Sequence, residues 1–119
     1  MSVRILSDVL RERLQVEQHV REGKHAFSCA DPAVPYADKL AVLTEEVGEV
    51  AREVNEHTLT TIKYARAPQT TMPPHRERHY RKRLREELIQ VAQVAVAWIE
   101  ALDAFEEKEA ELASSTEQS

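Results

Sequence analysis

The chain has 119 residues, of which 42% are hydrophobic, 31% charged and 5% aromatic, with two glycines and a formal net charge of −5. This composition excludes a disordered or collagen-like chain, and the few aromatic residues and glycines argue against a β-sandwich. The length and composition predict a single helical domain, residues 1–119. The single cysteine predicts a reducing, cytoplasmic location. No apolar run approaches the roughly 20 residues of a membrane span, so we expect no membrane partner.

Charge is distributed unevenly along the chain. The segment His75–Arg85 carries six Arg and Lys residues against one Glu, whereas Asp103–Ser119 carries six acidic residues against one Lys. An acidic chain with one short basic block argues against a general nucleic-acid-binding protein. Two interpretations of the block stay open. It suits a compact partner that bears phosphate, or it is the solvated start of a helix without a specific ligand.

The first predicted helix spans about Ser2 to Glu22, where leucines and valines form a broad apolar stripe. Gly23 is placed to end this helix, since glycine favours the left-handed conformation that follows a helix terminus. The next segment, Lys24–Pro35, contains two prolines and is predicted to be an irregular linker, because proline cannot continue a helix interior.

The second helix is predicted from about Tyr36 to Glu56, where apolar residues recur at spacings of three and four. A connection with three prolines, Thr58–Pro74, follows it and includes a short helical turn at Leu59–Tyr64. The third helix begins at His75 or Arg76 and ends near Phe105. The end of the chain, residues 114–119, is predicted to be frayed.

The apolar stripe of the third helix is wide, and a three-helix monomer does not need so much apolar surface for its core. Exposed apolar surface of this kind marks interfaces. We therefore expect the third helix to form the main contact of an oligomer. The stripe comprises Val91, Val94, Ala95, Trp98 and Leu102.

Acidic residues lie beside the apolar stripes of the second and third helices, in the strings TEEVGEV and REELIQV. Glu46 and Glu49 lie roughly 80° and 140° from the centre of their stripe, and Glu87 and Gln90 roughly 60° and 120° from theirs, in the same rotational sense. Antiparallel packing would set the two pairs face to face. Facing carboxylates repel unless a cation lies between them, and hard oxygen ligands suit Mg²⁺ or Mn²⁺. The alternative is that they form the hydrated border of two amphipathic helices.

With these two acidic strings, the sequence resembles the MazG-like all-α nucleoside triphosphate pyrophosphohydrolases. The family signature is a helix with Glu-Glu-x-x-Glu followed by a helix with Glu-x-x-Asp. Glu45, Glu46 and Glu49 match the first half, within KLAVLTEEVGEVAREV. In LREELIQVAQVAVAWIEAL, Glu87 matches the second half, and Gln90 stands where the family has Asp.

The resemblance covers residues 36–103 and implies an antiparallel helical bundle completed by assembly into a homodimer or homotetramer. It also implies Mg²⁺-dependent cleavage of a nucleoside or deoxynucleoside triphosphate to a monophosphate and pyrophosphate. By position, Glu46, Glu49 and Glu87 would be both catalytic residues and metal ligands, and Glu45 would help to orient or activate water. Gln90 would occupy the remaining place around the metal ion.

Basic residues precede both motifs. Lys39 lies before Glu46, and Arg83 lies before Glu87 on the third helix. Arg forms bidentate pairs with phosphate and Lys supplies a point charge, so Lys39 and Arg83 are candidates to bind the phosphates of a nucleotide. The alternative for each is a solvated surface charge.

Gln90 leaves the function open between two classes. As a ligand it would offer an amide oxygen but one negative charge fewer, which weakens metal binding; Glu53, one turn beyond Glu49, could compensate. Alternatively, Gln90 points away from the metal and bonds a neighbouring helix. The alternative to an enzyme is a non-catalytic helical oligomer that binds a nucleotide or a protein partner.

Overall fold

The computed structural model describes residues 2–67 and 69–118 and consists of three helices. Helix α1 spans Val3–Arg21, α2 spans Tyr36–Arg66 and α3 spans Pro74–Gln118. No strand is present among the described residues, so the predicted all-α class is confirmed.

Both ends of α1 follow from local sequence. The Ser2 hydroxyl accepts a hydrogen bond from the backbone N–H of Ile5 and so caps the first turn. Gly23 adopts a φ of 75°, and the N–H of Lys24 returns to the carbonyl of His19 at 2.8 Å, which ends the helix as predicted. The linker after Gly23 is irregular up to Pro35.

Helices α2 and α3 are both longer than predicted. Helix α2 continues from Glu56 to Arg66, and the threonines of this part place their hydroxyls on carbonyls one turn back, as Thr58 does on Val54. Helix α3 begins at Pro74, a residue suited to the first turn, and extends through helix-forming Glu, Ala and Lys residues to Gln118. The predicted end at Phe105 is therefore wrong, whereas the predicted fraying of residues 114–119 stays a prediction, and Ser119 lies outside the described residues.

Helices α2 and α3 form an antiparallel hairpin. The ring of Tyr36, at the start of α2, lies 6.0 Å from that of Trp98, and Glu53 further along α2 pairs with Arg83 at 2.5 Å. This alignment sets the acidic segment of α2 beside the acidic segment of α3, which is what positions the site.

Helix α1 packs on α3 and runs parallel to it. Asp8 pairs with Arg85 at 2.7 Å, and Arg13, further along α1, pairs with Glu100 at 3.0 Å. The Arg85 guanidinium holds the pKa of Asp8 below its ordinary value. Within the described residues α1 and α2 do not pack on each other, so α3 is the central element.

The fully buried apolar core is small and consists of little more than small side chains. It comprises Cys29, Val94, Ala97 and Ala101. The protein measures 80 × 30 × 27 Å and has a radius of gyration of 20.1 Å, against about 13 to 14 Å for a globular chain of this length. Val94, assigned by the sequence to the oligomer stripe, lies in this core instead. Much of the remaining apolar surface of α3 is uncovered.

Helix α3 also contains a strongly apolar window. By length and composition alone, the segment Pro74–Thr116 is the one helix of the described residues that could cross a membrane, with a mean hydropathy of 1.5 over 18 residues of which 28% are buried. Core helices of soluble proteins meet the same criterion. The hydropathy of α3 therefore indicates a wide apolar surface. The expectation that the protein does not span a membrane stays a prediction.

Candidate active site

The carboxylates of Glu46, Glu49 and Glu87 lie where α2 contacts α3, close enough for their charges to interact. All three side chains are half-buried, and Glu45 beside them is exposed. Burial raises the pKa of Glu46, and the charges of Glu87, Glu45 and Glu49 raise it further. Burial also raises the pKa of Glu87, reinforced by Glu49 and Glu53 and opposed by Arg83. Each helix thus contributes a carboxylate that is repelled by the other.

Arg83 is held at the edge of these carboxylates. Its Nη2 donates to Oε1 of Glu53 at 2.5 Å, and Glu53 is buried while the Arg83 side chain stays 49% exposed. The pair orients a cation beside Glu87 without enclosing it. Sequence reasoning found Arg83 through its position before the second motif, but it did not assign Glu53 as the partner.

Gln90 lies near the carboxylates but is bonded elsewhere. Its Nε2 donates to Oε2 of Glu12 on α1 at 2.7 Å, and its Oε1 accepts a weak bond of 3.4 Å from Gln93. The amide is thus occupied by α1 and by its own helix, in the arrangement that the sequence leaves open as the alternative to metal ligation.

Lys39 is not presented to the site. Its side chain is 0% exposed, and its Nζ has no hydrogen-bond partner within the described residues. It lies close enough to Cys29 for its charge to lower the pKa of that thiol, against the larger effect of burial, which raises it. In this position the ammonium group cannot reach a phosphate in solvent.

The burial of Lys39 predicts a stabilising substitution. A buried ammonium group without an acceptor loses its hydration and gains nothing in return. Replacing Lys39 with the similarly shaped, apolar Met should raise the free energy of unfolding by about 1–3 kcal/mol in urea denaturation. The exposed Lys63→Met is the control and should change it by less than about 0.5 kcal/mol. A less stable Lys39→Met variant would show that the ammonium group has a native partner.

A cavity of about 380 Å³ opens beside Glu45 and Glu46, between α1, the linker, α2 and α3. This volume lies within the usual range for small-molecule sites. Phe27 and Cys29 from the linker contribute apolar surface, and Gln93, which is buried, contributes an amide. The full lining is Val16, His25, Ala26, Phe27, Cys29, Val42, Glu45, Glu46, Gln90, Gln93, Val94 and Ala97. Sequence reasoning missed Gln93, because one glutamine in an apolar helix carries no signal of its own.

In the part of the chain that the structure describes, no group of three or more His, Cys, Asp or Glu side chains is arranged to hold a metal ion as it stands. The chemistry of the donors nevertheless fits Mg²⁺. Glu46, Glu49 and Glu87 offer hard oxygens. Burial raises the pKa of Glu46 and Glu87, and neighbouring carboxylates raise it further by a repulsion that a divalent cation would relieve.

Comparison of the chain with protein-family models, with curated proteins and with solved structures finds no match. The function is therefore inferred from the residues and the geometry of this chain. The resemblance of residues 36–103 to MazG-like enzymes stays a proposal that rests on the two acidic motifs.

Proposed function

We propose that the chain is a Mg²⁺-dependent nucleotide pyrophosphohydrolase of the MazG-like type, active in the cytoplasm as a homodimer or homotetramer. It would cleave a nucleoside or deoxynucleoside triphosphate to a monophosphate and pyrophosphate. The observation that carries the proposal is the placement of Glu46, Glu49 and Glu87, which are half-buried at the contact between α2 and α3 and close enough for their charges to repel one another. Such an arrangement is costly for a structural surface and useful for cation-assisted phosphate chemistry.

Glu46, Glu49 and Glu87 are the residues that would hold Mg²⁺, or Mn²⁺ in its place. When bound, the ion supplies neutralisation of phosphate charge and a lowered pKa of coordinated water. Glu45 is exposed and lines the cavity beside Glu46, so its carboxylate is placed to orient the attacking water and accept its proton. As the water oxygen bonds to phosphorus, the bond to the departing pyrophosphate breaks.

The cavity and Arg83 lie on either side of the carboxylates and suit the two ends of a nucleotide. Phe27 offers an aromatic surface for a base, and the Gln93 amide offers both a donor and an acceptor. Arg83 also lines a second cavity of about 210 Å³, together with Arg76 and His79. These cations would receive the phosphates.

The proposal is tested by incubating the full chain with a panel of ribonucleoside and deoxyribonucleoside triphosphates and Mg²⁺ or Mn²⁺. We expect pyrophosphate and monophosphate in equal amounts from at least one nucleotide, and no product in the presence of a chelator. Glu111→Gln, an exposed change far along α3, is the matched control and should retain full activity. Absence of pyrophosphate with every nucleotide and both metals would contradict catalysis.

The hydrogen bond between Gln90 and Glu12 favours a second candidate, a non-catalytic helical oligomer that binds a nucleotide or a protein partner. With its amide turned to α1, Gln90 adds no ligand to the carboxylates. Retention of a nucleotide in equilibrium dialysis without any release of pyrophosphate would support this candidate over the enzyme.

Gln90→Asp is expected to lower the free energy of unfolding by about 1–2 kcal/mol, because it replaces the donor to Glu12 with a second carboxylate. The double variant Glu12→Gln/Gln90→Asp restores a donor and an acceptor and should recover most of this loss. Urea denaturation of the two variants measures both effects. Equal stability of Gln90→Asp and the unmodified chain would show that the bond between Gln90 and Glu12 does not form in solution.

A further inference from the structure

Two histidine rings meet at the turn that ends α1. His19 lies in the last turn of the helix and His25 in the linker, and Gly23 between them adopts a φ of 75°. The backbone N–H groups of Lys24 and His25 both donate to the carbonyl oxygen of His19, at 2.8 and 3.3 Å. This turn brings the side chains together, with Nδ1 of His19 3.3 Å from Nε2 of His25 and the ring centroids 5.1 Å apart.

The separation of the two rings matches that of two ligands of one tetrahedral metal ion. With metal–nitrogen bonds of about 2.05 Å and an angle of about 109° at the metal, the nitrogens lie about 3.3 Å apart and the ring centroids about 5.2 Å apart. A square-planar ion would need nitrogens about 2.9 Å apart. A straight hydrogen bond at the observed nitrogen distance would set the centroids about 5.6 Å apart. Both observed distances therefore agree with a shared tetrahedral ion and not with a straight hydrogen bond.

The surroundings of the two rings leave their nitrogens available to an ion. Within the described residues neither ring has a hydrogen-bond partner other than the opposite ring, and His19 is half-buried and His25 exposed. Glu22 belongs to the same turn, but it accepts from Gln18 at 2.7 Å and pairs with Lys24 at 3.0 Å, so its carboxylate is already engaged. The chain thus supplies two ligands, and water would complete the coordination.

We infer that His19 and His25 form a second metal site, which binds Zn²⁺. Imidazole nitrogen suits Zn²⁺, whereas Mg²⁺ prefers oxygen ligands. On binding, the ion replaces the proton between the two rings, and that proton moves to the outer nitrogen of its own ring, so both imidazoles stay neutral. The zinc site shares no residue with Glu46, Glu49 and Glu87, and it does not depend on the proposed enzymatic activity.

The zinc site lies at the edge of the cavity beside Glu45 and Glu46. His25 lines this cavity, and Phe27, two residues further along the linker, contributes its aromatic surface. An ion shared with His19 would therefore hold the start of the linker against α1, next to the cavity but outside the carboxylate site.

Co²⁺ is the probe for this site, because it shares the tetrahedral preference of Zn²⁺ and absorbs visible light more strongly in a tetrahedral site than in an octahedral one. We expect the full chain to bind one Co²⁺ with a strong visible band. Equimolar Zn²⁺ should abolish the band, and a large excess of Mg²⁺ should not. His19→Ala and His25→Ala should each lose the band and raise the dissociation constant for Zn²⁺ by at least about tenfold, since one of the two ligands is removed.

Three control variants separate the zinc site from other donors. His75→Ala removes an exposed histidine at the start of α3, Cys29→Ser removes the buried thiol, and Glu49→Gln changes the carboxylate site. Each should keep the visible band and the Zn²⁺ affinity of the unmodified chain. Circular dichroism checks that all five variants keep their helical content.

Tryptic cleavage after Lys24 tests the effect of the ion on the linker. Lys24 is exposed and lies inside the turn that Zn²⁺ would bridge. Because cleavage requires local opening of this turn, Zn²⁺ should slow it by about threefold or more in the unmodified chain. It should not slow cleavage of His19→Ala, which keeps both residues of the scissile bond.

Two results would overturn the inference. One is a Co²⁺ spectrum of the unmodified chain without a tetrahedral band, and the other is a band that survives both His19→Ala and His25→Ala. Equal rates of cleavage after Lys24 with and without Zn²⁺ would contradict the effect on the linker. None of these results bears on the carboxylate site, which the release of pyrophosphate tests separately.

Discussion

Glu46→Gln is expected to stabilise the metal-free protein while it lowers the rate of pyrophosphate release by about 100-fold or more. Glu46 lies among Glu45, Glu49 and Glu87, and burial together with these charges raises its pKa. The neutral amide removes the repulsion and the cost of burying a charge. It also removes a ligand charge, so the same change weakens the proposed metal site. A substitution that affects stability and function in opposite directions is typical of a functional site.

The sign of the pH dependence follows from the raised pKa values of Glu46 and Glu87. The folded state binds their protons more tightly than the unfolded state does, so these two groups make the protein more stable as the pH falls from neutrality through their folded pKa values. This gain ends below the unfolded pKa. Thermal unfolding at several pH values should show a smaller gain for Glu46→Gln than for the unmodified chain. Equal stability and equal turnover of Glu46→Gln and the unmodified chain would show that Glu46 is not part of the site.

Arg13→Ala is expected to cause the largest loss of stability, about 2–4 kcal/mol. The Arg13 side chain is only 5% exposed and links two elements, since Nη2 donates to Glu17 at 3.1 Å and to Glu100 at 3.0 Å. Ser28 of the linker also donates to Glu17. The substitution therefore removes the group that joins α1 to α3, so the Glu100 carboxylate loses its cation and Glu17 keeps only its bond from Ser28.

Urea denaturation measures this loss, and Arg52→Ala is its control. Arg52 on α2 is exposed and pairs with Glu56 within one helix at 3.2 Å, so its removal should change the free energy of unfolding by less than about 1 kcal/mol. If both substitutions had the same small effect, the contacts of Arg13 would be no stronger than a surface pair.

Periodicity was sufficient to predict the helices and to place the acidic residues beside their apolar stripes. The angles of Glu46 and Glu87 from the centres of their apolar stripes were enough to predict that they lie close together. Two antiparallel helices whose stripes are in contact bring together residues displaced in the same rotational sense. Helix ends were less predictable. Thr58 and its neighbours lower helix propensity, yet α2 continues through them, with the Thr58 hydroxyl bonded to the carbonyl of Val54.

Contacts made by the irregular linker could not be predicted in this way. Lys39 is buried near Cys29 of the linker, and the periodicity of the helices does not predict the path of an irregular segment. The position of Gln93 in the cavity could not be predicted for a related reason. Its position in the cavity depends on α1 and on Phe27, both distant in sequence.

Titration calorimetry with Mg²⁺ tests the central claim most directly, because it measures the carboxylate site without requiring the correct nucleotide. The unmodified chain, Glu49→Gln and the distant control Glu111→Gln are compared in the presence and absence of a non-hydrolysable nucleoside triphosphate. We predict saturable binding by the unmodified chain and Glu111→Gln, and at least tenfold weaker binding by Glu49→Gln. Identical Mg²⁺ affinities for all three proteins, with and without the nucleotide, would contradict a metal site formed by Glu46, Glu49 and Glu87.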